Sequence, residues 1–171
     1  LKRLKTNYLD ILQLHDLRTK YDLEQIFSKN GAIHALVQAK KEGKIRFIGI
    51  TGHHYPEILV KAIEMYDFDT VLLCVNAGDY SYLPFISSVI PIARKKGMGV
   101  IAMKVTAQTN IFPELSMKEA LYYSLSQDVD IAIVGCKTPK EVEENANLVK
   151  EFTPLRKEEL SLIERKVDVG W

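Results

Sequence analysis

The stretch Tyr8-Leu9-Asp10-Ile11-Leu12-Gln13-Leu14-His15, followed at once by Asp16, decides how this chain is read. Leu9, Ile11, Leu12 and Leu14 form a nearly continuous apolar run of strand length, interrupted by a single acid. Such a run suits a parallel strand covered on both faces. It ends in an imidazole where the chain must turn into a loop. In parallel α/β folds the C-terminal ends of strands are where ligands and chemistry gather, so His15 is the first candidate functional residue.

The same alternation recurs along the rest of the chain. A polar stretch over Asp16–Asn30 carries a short helical turn at Asp22–Phe27. Gly31–Gly43 reads as a helix with Ile33, Leu36 and Val37 on one face and Gly43 as its stop. Ile45–Thr51 is a second strand closing in Gly52-His53-His54, and Pro56 opens a helix whose stripe runs through Ile58, Leu59, Ala62, Ile63 and Tyr66. Thr70–Asn76 is the third strand. A loop through Gly78 and Pro84 leads to a helix over Phe85–Lys96, which Pro91 is expected to kink or split. Gly99–Val105 is the fourth strand. Ser116 and Glu119 form a capping box for a helix reaching Ser126. Asp130–Gly135 is the fifth strand, Thr138 caps a helix with Pro139 at its first position, and an amphipathic helix over Leu155–Lys166 closes the pattern.

Strand followed by helix, five times over, implies parallel strands joined by crossovers. Strand starts at residues 8, 45, 70, 99 and 130 fit βα units and no shorter repeat. Five such units make either an open doubly wound sheet or five-eighths of a (β/α)8 TIM barrel, and pattern alone does not choose. An unrelated nucleotide-binding sheet is disfavoured because no GxGxxG follows the first strand.

Composition bounds the rest. The 171 residues, 47% hydrophobic and 26% charged, suit one globular domain over 1–171 with a sizeable core. A net charge of +1 gives no general pull toward nucleic acid or an anionic membrane. No apolar run approaches the roughly 20 residues of a membrane span, and no signal peptide is visible, so a cytoplasmic protein is expected. Cys74 and Cys136 lie in apolar strand-like runs and are expected to be reduced and buried. Leu1-Lys2-Arg3-Leu4-Lys5 reads as the last turn of a helix that started earlier, which suggests a fragment. His53-His54 invites a metal reading, but neighbours in an extended segment point in opposite directions, so no metal site is expected. A position facing substrate or cofactor suits this pair better.

Four segments then carry a family likeness. Leu1–His15 resembles the aldo-keto reductase form SLKRLxTDYIDLxQxH, and Gly43–Ile50 resembles that family's GKIRxIGVS strand. Gly97–Lys104 is similar to the KGxGVIAMK form of a bacterial and archaeal branch. Val134-Gly135-Cys136 through Glu143-Glu144-Asn145 is similar to its late IxG…EEN element. The resemblance implies a (β/α)8 barrel and NADH- or NADPH-dependent reduction of a small aldehyde or ketone. It places the family's catalytic histidine on His15 and implies that the Asp, Tyr and Lys of the tetrad belong to strands preceding Leu1. The chain would then hold strands four to eight and turn over poorly alone.

The resemblance also distributes the cofactor. Thr51 stands where members often have Ser-Asn holding the nicotinamide carboxamide, with Gly52 unable to supply an amide. Leu72 stands where related proteins often have Gln, and Asn76 ends the same strand. Lys104 is expected to face the pyrophosphate. Gly135, Lys137, Glu144 and Asn145 are expected to frame the adenosine end, with Glu144 and Asn145 on the adenine. Glu141 stands where NADPH-specific members have Arg and would repel a 2′-phosphate, which Lys137 and Lys140 could offset; NAD(H) or NADP(H) stays open. The alternative is a non-catalytic nucleotide-binding or structural half-barrel subunit. With the first and fifth strands at open edges, pairing into a homodimer is expected.

Overall fold

The computed structural model describes residues 1–79 and 83–167. Five strands form one parallel sheet in sequence order: β1 (Leu9–Leu14), β2 (Ile45–Gly52), β3 (Thr70–Cys74), β4 (Gly99–Met103) and β5 (Ile131–Ala132). Between them run α1 (Lys20–Phe27), α2 (Ala32–Lys41), α3 (Pro56–Met65), α4 (Phe85–Ser88), α5 (Ile90–Lys95) and α6 (Met117–Leu125). The helices α7 (Pro139–Lys150) and α8 (Lys157–Val167) follow the last strand. Sequential order in a parallel sheet is the arrangement of a barrel wall, since a doubly wound sheet reverses direction at a switch point.

Alternation sorts the side chains onto two faces. Ile48, Ile50, Val71, Leu73, Val100 and Ala102 point toward the helices and are fully buried with Leu59, Ala62 and Ile63 of α3. A second core under α6 and α8 gathers Leu115, Leu121, Tyr123 and Ile163. On the other face lie Ile11, Phe47 and Ile131, all exposed, with Gln13, Gly49 and Thr70 between them. The first strand is therefore not covered on both faces, as its apolar run suggested. On its second face Ile11 is exposed, whereas Leu9 reaches the core and Gln13 Nε2 is buried.

The joins repeat one device. Asp69, just before β3, accepts hydrogen bonds through Oδ2 from the Ile48 N–H of β2 (2.7 Å) and from Lys40 at the end of α2 (2.6 Å). Asp130, just before β5, accepts from the Val100 N–H of β4 (2.7 Å) and from Arg94 at the end of α5 (2.7 Å). Each aspartate thus fastens the start of one strand to its neighbour and to the end of the helix that precedes that neighbour, where a cation also suits the helix dipole.

The capping box at Ser116 and Glu119 and the Thr138 cap are present as read from sequence. The Asp22–Phe27 turn is a longer helix, α1, because Thr19 and Asp22 form a second capping box. Pro91 splits the expected Phe85–Lys96 helix into α4 and α5, with the break at Val89. The third, fourth and fifth strands end earlier than expected, at Cys74, Met103 and Ala132. Lys2–Leu4 forms a single 3-10 turn closed by Lys5 in the left-handed region. Part of the Gly78–Pro84 loop, residues 80–82, lies outside the described residues. Cys74 is buried, and burial pushes its thiol up to about 12, with Asp79 adding to the rise and Lys104 opposing it. Cys136 is exposed, a correction that follows from the early end of β5. Both thiols are free.

Candidate functional site

The C-terminal ends of β1, β2 and β4 meet around one cluster of polar side chains. His15, one residue beyond β1, comes level with Thr51 of β2, and its Nδ1 lies 2.8 Å from the buried Thr51 Oγ1. The Leu17 N–H bonds the Thr51 carbonyl at 2.9 Å, so the turn after β1 is fixed to β2 by main chain as well. His15 is itself exposed at the C-terminal rim of the sheet. Thr51 thus supports the histidine directly, a role the sequence did not suggest.

Asp16 stands beside it. Arg18 Nε donates to both carboxylate oxygens, at 3.0 and 3.1 Å. Asp16 Oδ2 also lies 2.9 Å from His53 Nε2 and 3.6 Å from His54 Nε2. Burial works to raise the Asp16 carboxyl, but Arg18 and His53 overcome it and hold it below the ordinary carboxylate range. Burial pushes His53 the other way, below the usual imidazole value, with Lys104 and His54 adding to the fall and Asp16 opposing it. The histidine pair does not splay apart as an extended segment would dictate. The chain bends after Gly52, and the two rings sit 4.4 Å apart with both Nε2 atoms on one carboxylate.

Lys104 follows β4 in the left-handed region (φ 54°), and its Nζ lies 3.2 Å from His53 Nδ1. Lys ammonium only donates, so His53 Nδ1 accepts and its ring proton sits on Nε2, facing Asp16. Asn76 is buried and turned inward on its own loop. Its Oδ1 accepts from the N–H groups of Gly78 (2.9 Å) and Asp79 (3.1 Å), and its Nδ2 donates to Asp79 Oδ2 (2.7 Å). Burial lifts the Asp79 carboxyl to about 7, against the pull of Lys104 and Asn76.

The remaining candidates gather at a second place. Gly135, Lys137, Glu144 and Asn145 line one cleft of about 310 Å³ with Thr106, Thr109 and Glu141. The start of α7 is already engaged: Thr138 Oγ1 accepts from the Glu141 N–H (3.2 Å), and the Glu141 carboxylate accepts from the Lys137 N–H (2.7 Å). Lys140 pairs with Glu144 at 3.6 Å, both largely in solvent, and Asn145 Nδ2 lies 3.4 Å from Cys136 Sγ. A Cβ on Gly135 would meet nothing within 4 Å, so that position is open rather than tight. The sequence pointed to this cleft residue by residue, whereas Asp16, Arg18 and the hydroxyls of Thr106 and Thr109 went unmarked.

The family model described as "Aldo/keto reductase family" matches residues 1–116. The chain belongs to the aldo-keto reductase family. It is 30% identical over 194 aligned residues to L-galactose dehydrogenase of Arabidopsis thaliana, covering 96% of this chain and 60% of that protein. The aldo-keto reductase of Bacillus halodurans in its holo form superposes with a TM-score of 0.77 at 21% identity, covering 99% of this chain and 64% of that one. The glycerol dehydrogenase of Gluconobacter oxydans gives 0.72 at 17% identity, covering 97% and 60%. Likeness at that identity shows the fold, and the fold is part of an aldo-keto reductase (β/α)8 barrel. The chain spans a little under two thirds of the length of these relatives. Members of this family are oxidoreductases that typically use a nicotinamide cofactor. No described helix is long and apolar enough to cross a membrane.

Proposed function

We propose that this chain supplies the histidine and part of the cofactor cradle of a carbonyl reductase acting on a small aldehyde or ketone. The observation that carries the reading is the 2.8 Å contact between His15 Nδ1 and Thr51 Oγ1 at the ends of adjacent parallel strands. With Thr51 donating to Nδ1, the His15 proton sits on Nε2, the ring nitrogen that Thr51 does not engage. Nε2–H then donates to the carbonyl oxygen of a substrate, holding it in place and favouring charge on that oxygen as the carbon is reduced.

A nicotinamide, when bound, supplies the hydride. The donor set in the second cleft fits its adenosine end: a lysine ammonium at Lys137, two threonine hydroxyls, and the amide of Asn145. Thr51, Asn76 and Lys104 are the residues of the first cluster we assign toward the nicotinamide and pyrophosphate. Because the Glu141 carboxylate already caps the start of α7, and Lys140 is drawn to Glu144, we assign NAD(H) over NADP(H). A 2′-phosphate there would meet a like charge. The proton for the product alkoxide we assign to a group outside residues 1–171. A general acid contributes about 10²–10⁴ in rate, so with that group supplied from elsewhere the 171-residue polypeptide alone is expected to bind cofactor without significant turnover.

Fluorescence titration of the chain with NADH and NADPH tests this. Saturable NADH binding, tighter than NADPH and weakened by Asn145→Ala, is the expected result, and Glu141→Arg should shift preference toward NADPH. Absence of binding to either would overturn the cofactor assignment. Turnover by the chain alone, assayed on simple aldehydes and on L-galactose with NAD+ in view of the Arabidopsis relative, would overturn the external proton donor. His15→Ala should then identify whether that turnover uses the histidine.

A further inference from the structure

We propose that Asp16, His53 and His54 form a binding site for a divalent transition-metal ion of the zinc class, immediately beside His15. The inference goes beyond the reductase reading and does not depend on it. Three observations carry it. The first is the donor set: two imidazoles and a carboxylate, whose ligand atoms all lie within 4.8 Å of one another. Two histidines and one carboxylate leave an open coordination position, as catalytic zinc sites do.

The second observation is spacing. Asp16 Oδ2 lies 2.9 Å from His53 Nε2 and 3.6 Å from His54 Nε2. Bonds of about 2.0–2.2 Å to a tetrahedral ion put neighbouring donor atoms about 3.3–3.5 Å apart. The two separations from the carboxylate bracket that value, and the third pair of donor atoms lies within 4.8 Å. The third is His54 itself. Its Nε2 is buried and has no hydrogen-bond partner. At 3.6 Å from Asp16 it is too far for a hydrogen bond, yet well placed to share a ligand with that carboxylate. A buried polar atom left unsatisfied calls for an explanation, and a bound ion is one.

The surroundings set the terms of binding. Arg18 fixes the Asp16 carboxylate through Nε, an outer contact of the kind that orients metal ligands, and its own side chain is largely solvated. Lys104 works against the ion. Its ammonium donates to His53 Nδ1 (3.2 Å) and so keeps the ring proton on Nε2. When the ion takes Nε2, that proton leaves and Nδ1 takes one up, so ring charge is unchanged and Lys104 must swing away. Metal and Lys104 therefore compete for the tautomer of one ring. The rings of His15 and His53 are 6.2 Å apart, so an ion held by His53 would lie close to His15.

The test is titration of the tag-free 171-residue chain, carrying Cys136→Ser to remove an exposed thiol, with Co2+ as a visible probe and Zn2+ as its competitor. The expected result is a saturable one-to-one d–d absorption that Zn2+ abolishes. His54→Ala and Asp16→Asn should each weaken it at least tenfold, with folding checked by circular dichroism. Lys104→Met should bind more tightly. The proposal is overturned by no saturable Co2+ or Zn2+ binding up to millimolar ion, by unchanged affinity in folded His54→Ala and Asp16→Asn, or by weaker binding in Lys104→Met. NAD(H) binding is read separately by fluorescence, so failure of one reading leaves the other standing.

Discussion

On one face of the sheet Ile48, Ile50, Val71, Leu73 and Val100 have no exposure at all; on the other, Phe47 is 43% and Ile131 53% exposed. The same strands, with the same alternation, thus present two unlike surfaces. The helix-covered face is apolar, close-packed and continuous with α3. The opposite face mixes exposed apolar side chains with polar ones, and it rises at its rim to His15 and Thr51. Burial on the first face stabilises the chain, whereas the second carries candidate chemistry and contributes little packing within the described residues. A single apolar residue has therefore a different meaning depending on its parity along the strand.

Truncation at nearby positions on the two faces separates them most clearly. Ile50→Ala on the covered face should cost about 2–5 kcal/mol, whereas Phe47→Ala on the open face should cost under about 1 kcal/mol, both read from urea unfolding. Equal losses would mean that the second face is packed in solution. Gly49 comes next. A Cβ there would run into Thr70 Oγ1 and lie 2.7 Å from Gln13 Cγ, so Gly49→Ala should cost about 1–3 kcal/mol through overpacking.

Asp79 at the rim gives a pH-dependent effect. Its folded carboxyl holds its proton to about 7, against an ordinary value of 3.8. Between these values the folded state binds more protons than the unfolded one, so its contribution falls as pH rises from about 4 to about 7. Asp79→Asn should match the parent near pH 4 and melt above it at pH 8. A gap that does not grow with pH would place the ionised carboxylate in a more solvated position. The smallest effect is at the edge. We expect the parent to self-associate weakly through β1 or β5, with Ile131→Lys reducing the apparent mass in light scattering across a concentration series. A parent that stays monomeric at the highest concentration would remove that expectation.

Much of this was legible in the sequence because the βα units are locally consistent. Apolar runs, Ser116 and Thr138 caps, and the Pro56 and Pro139 starts all speak to nearest neighbours along the chain. The break at Pro91 was legible for the same reason. What escaped were features set across strands. The exposure of Cys136 depends on where β5 stops, and the open face of β1 depends on what lies beyond it in space. The aspartates before β3 and β5 look like ordinary loop acids until their neighbours' N–H groups are seen beside them. At the candidate site, His15 was marked by its place at a strand end. Its partner Thr51 was marked for another purpose, and the turn of His53 and His54 onto Asp16 came from a bend after Gly52 that residue spacing does not encode.

The line of contacts from Arg18 through Asp16 and His53 to Lys104 crosses from the loop after β1, over the end of β2, to the loop after β4. It skips β3 entirely. Neighbouring strand ends in such a sheet would otherwise drift independently in sequence, each loop free to change without reference to the next. Here a change of charge at Arg18 alters the carboxylate that fixes one ring tautomer, and that tautomer decides whether Lys104 keeps its acceptor. Substitutions at these four positions should therefore be inherited as a set, so that swapping any one loop for a relative's loop would import a mismatch two strands away.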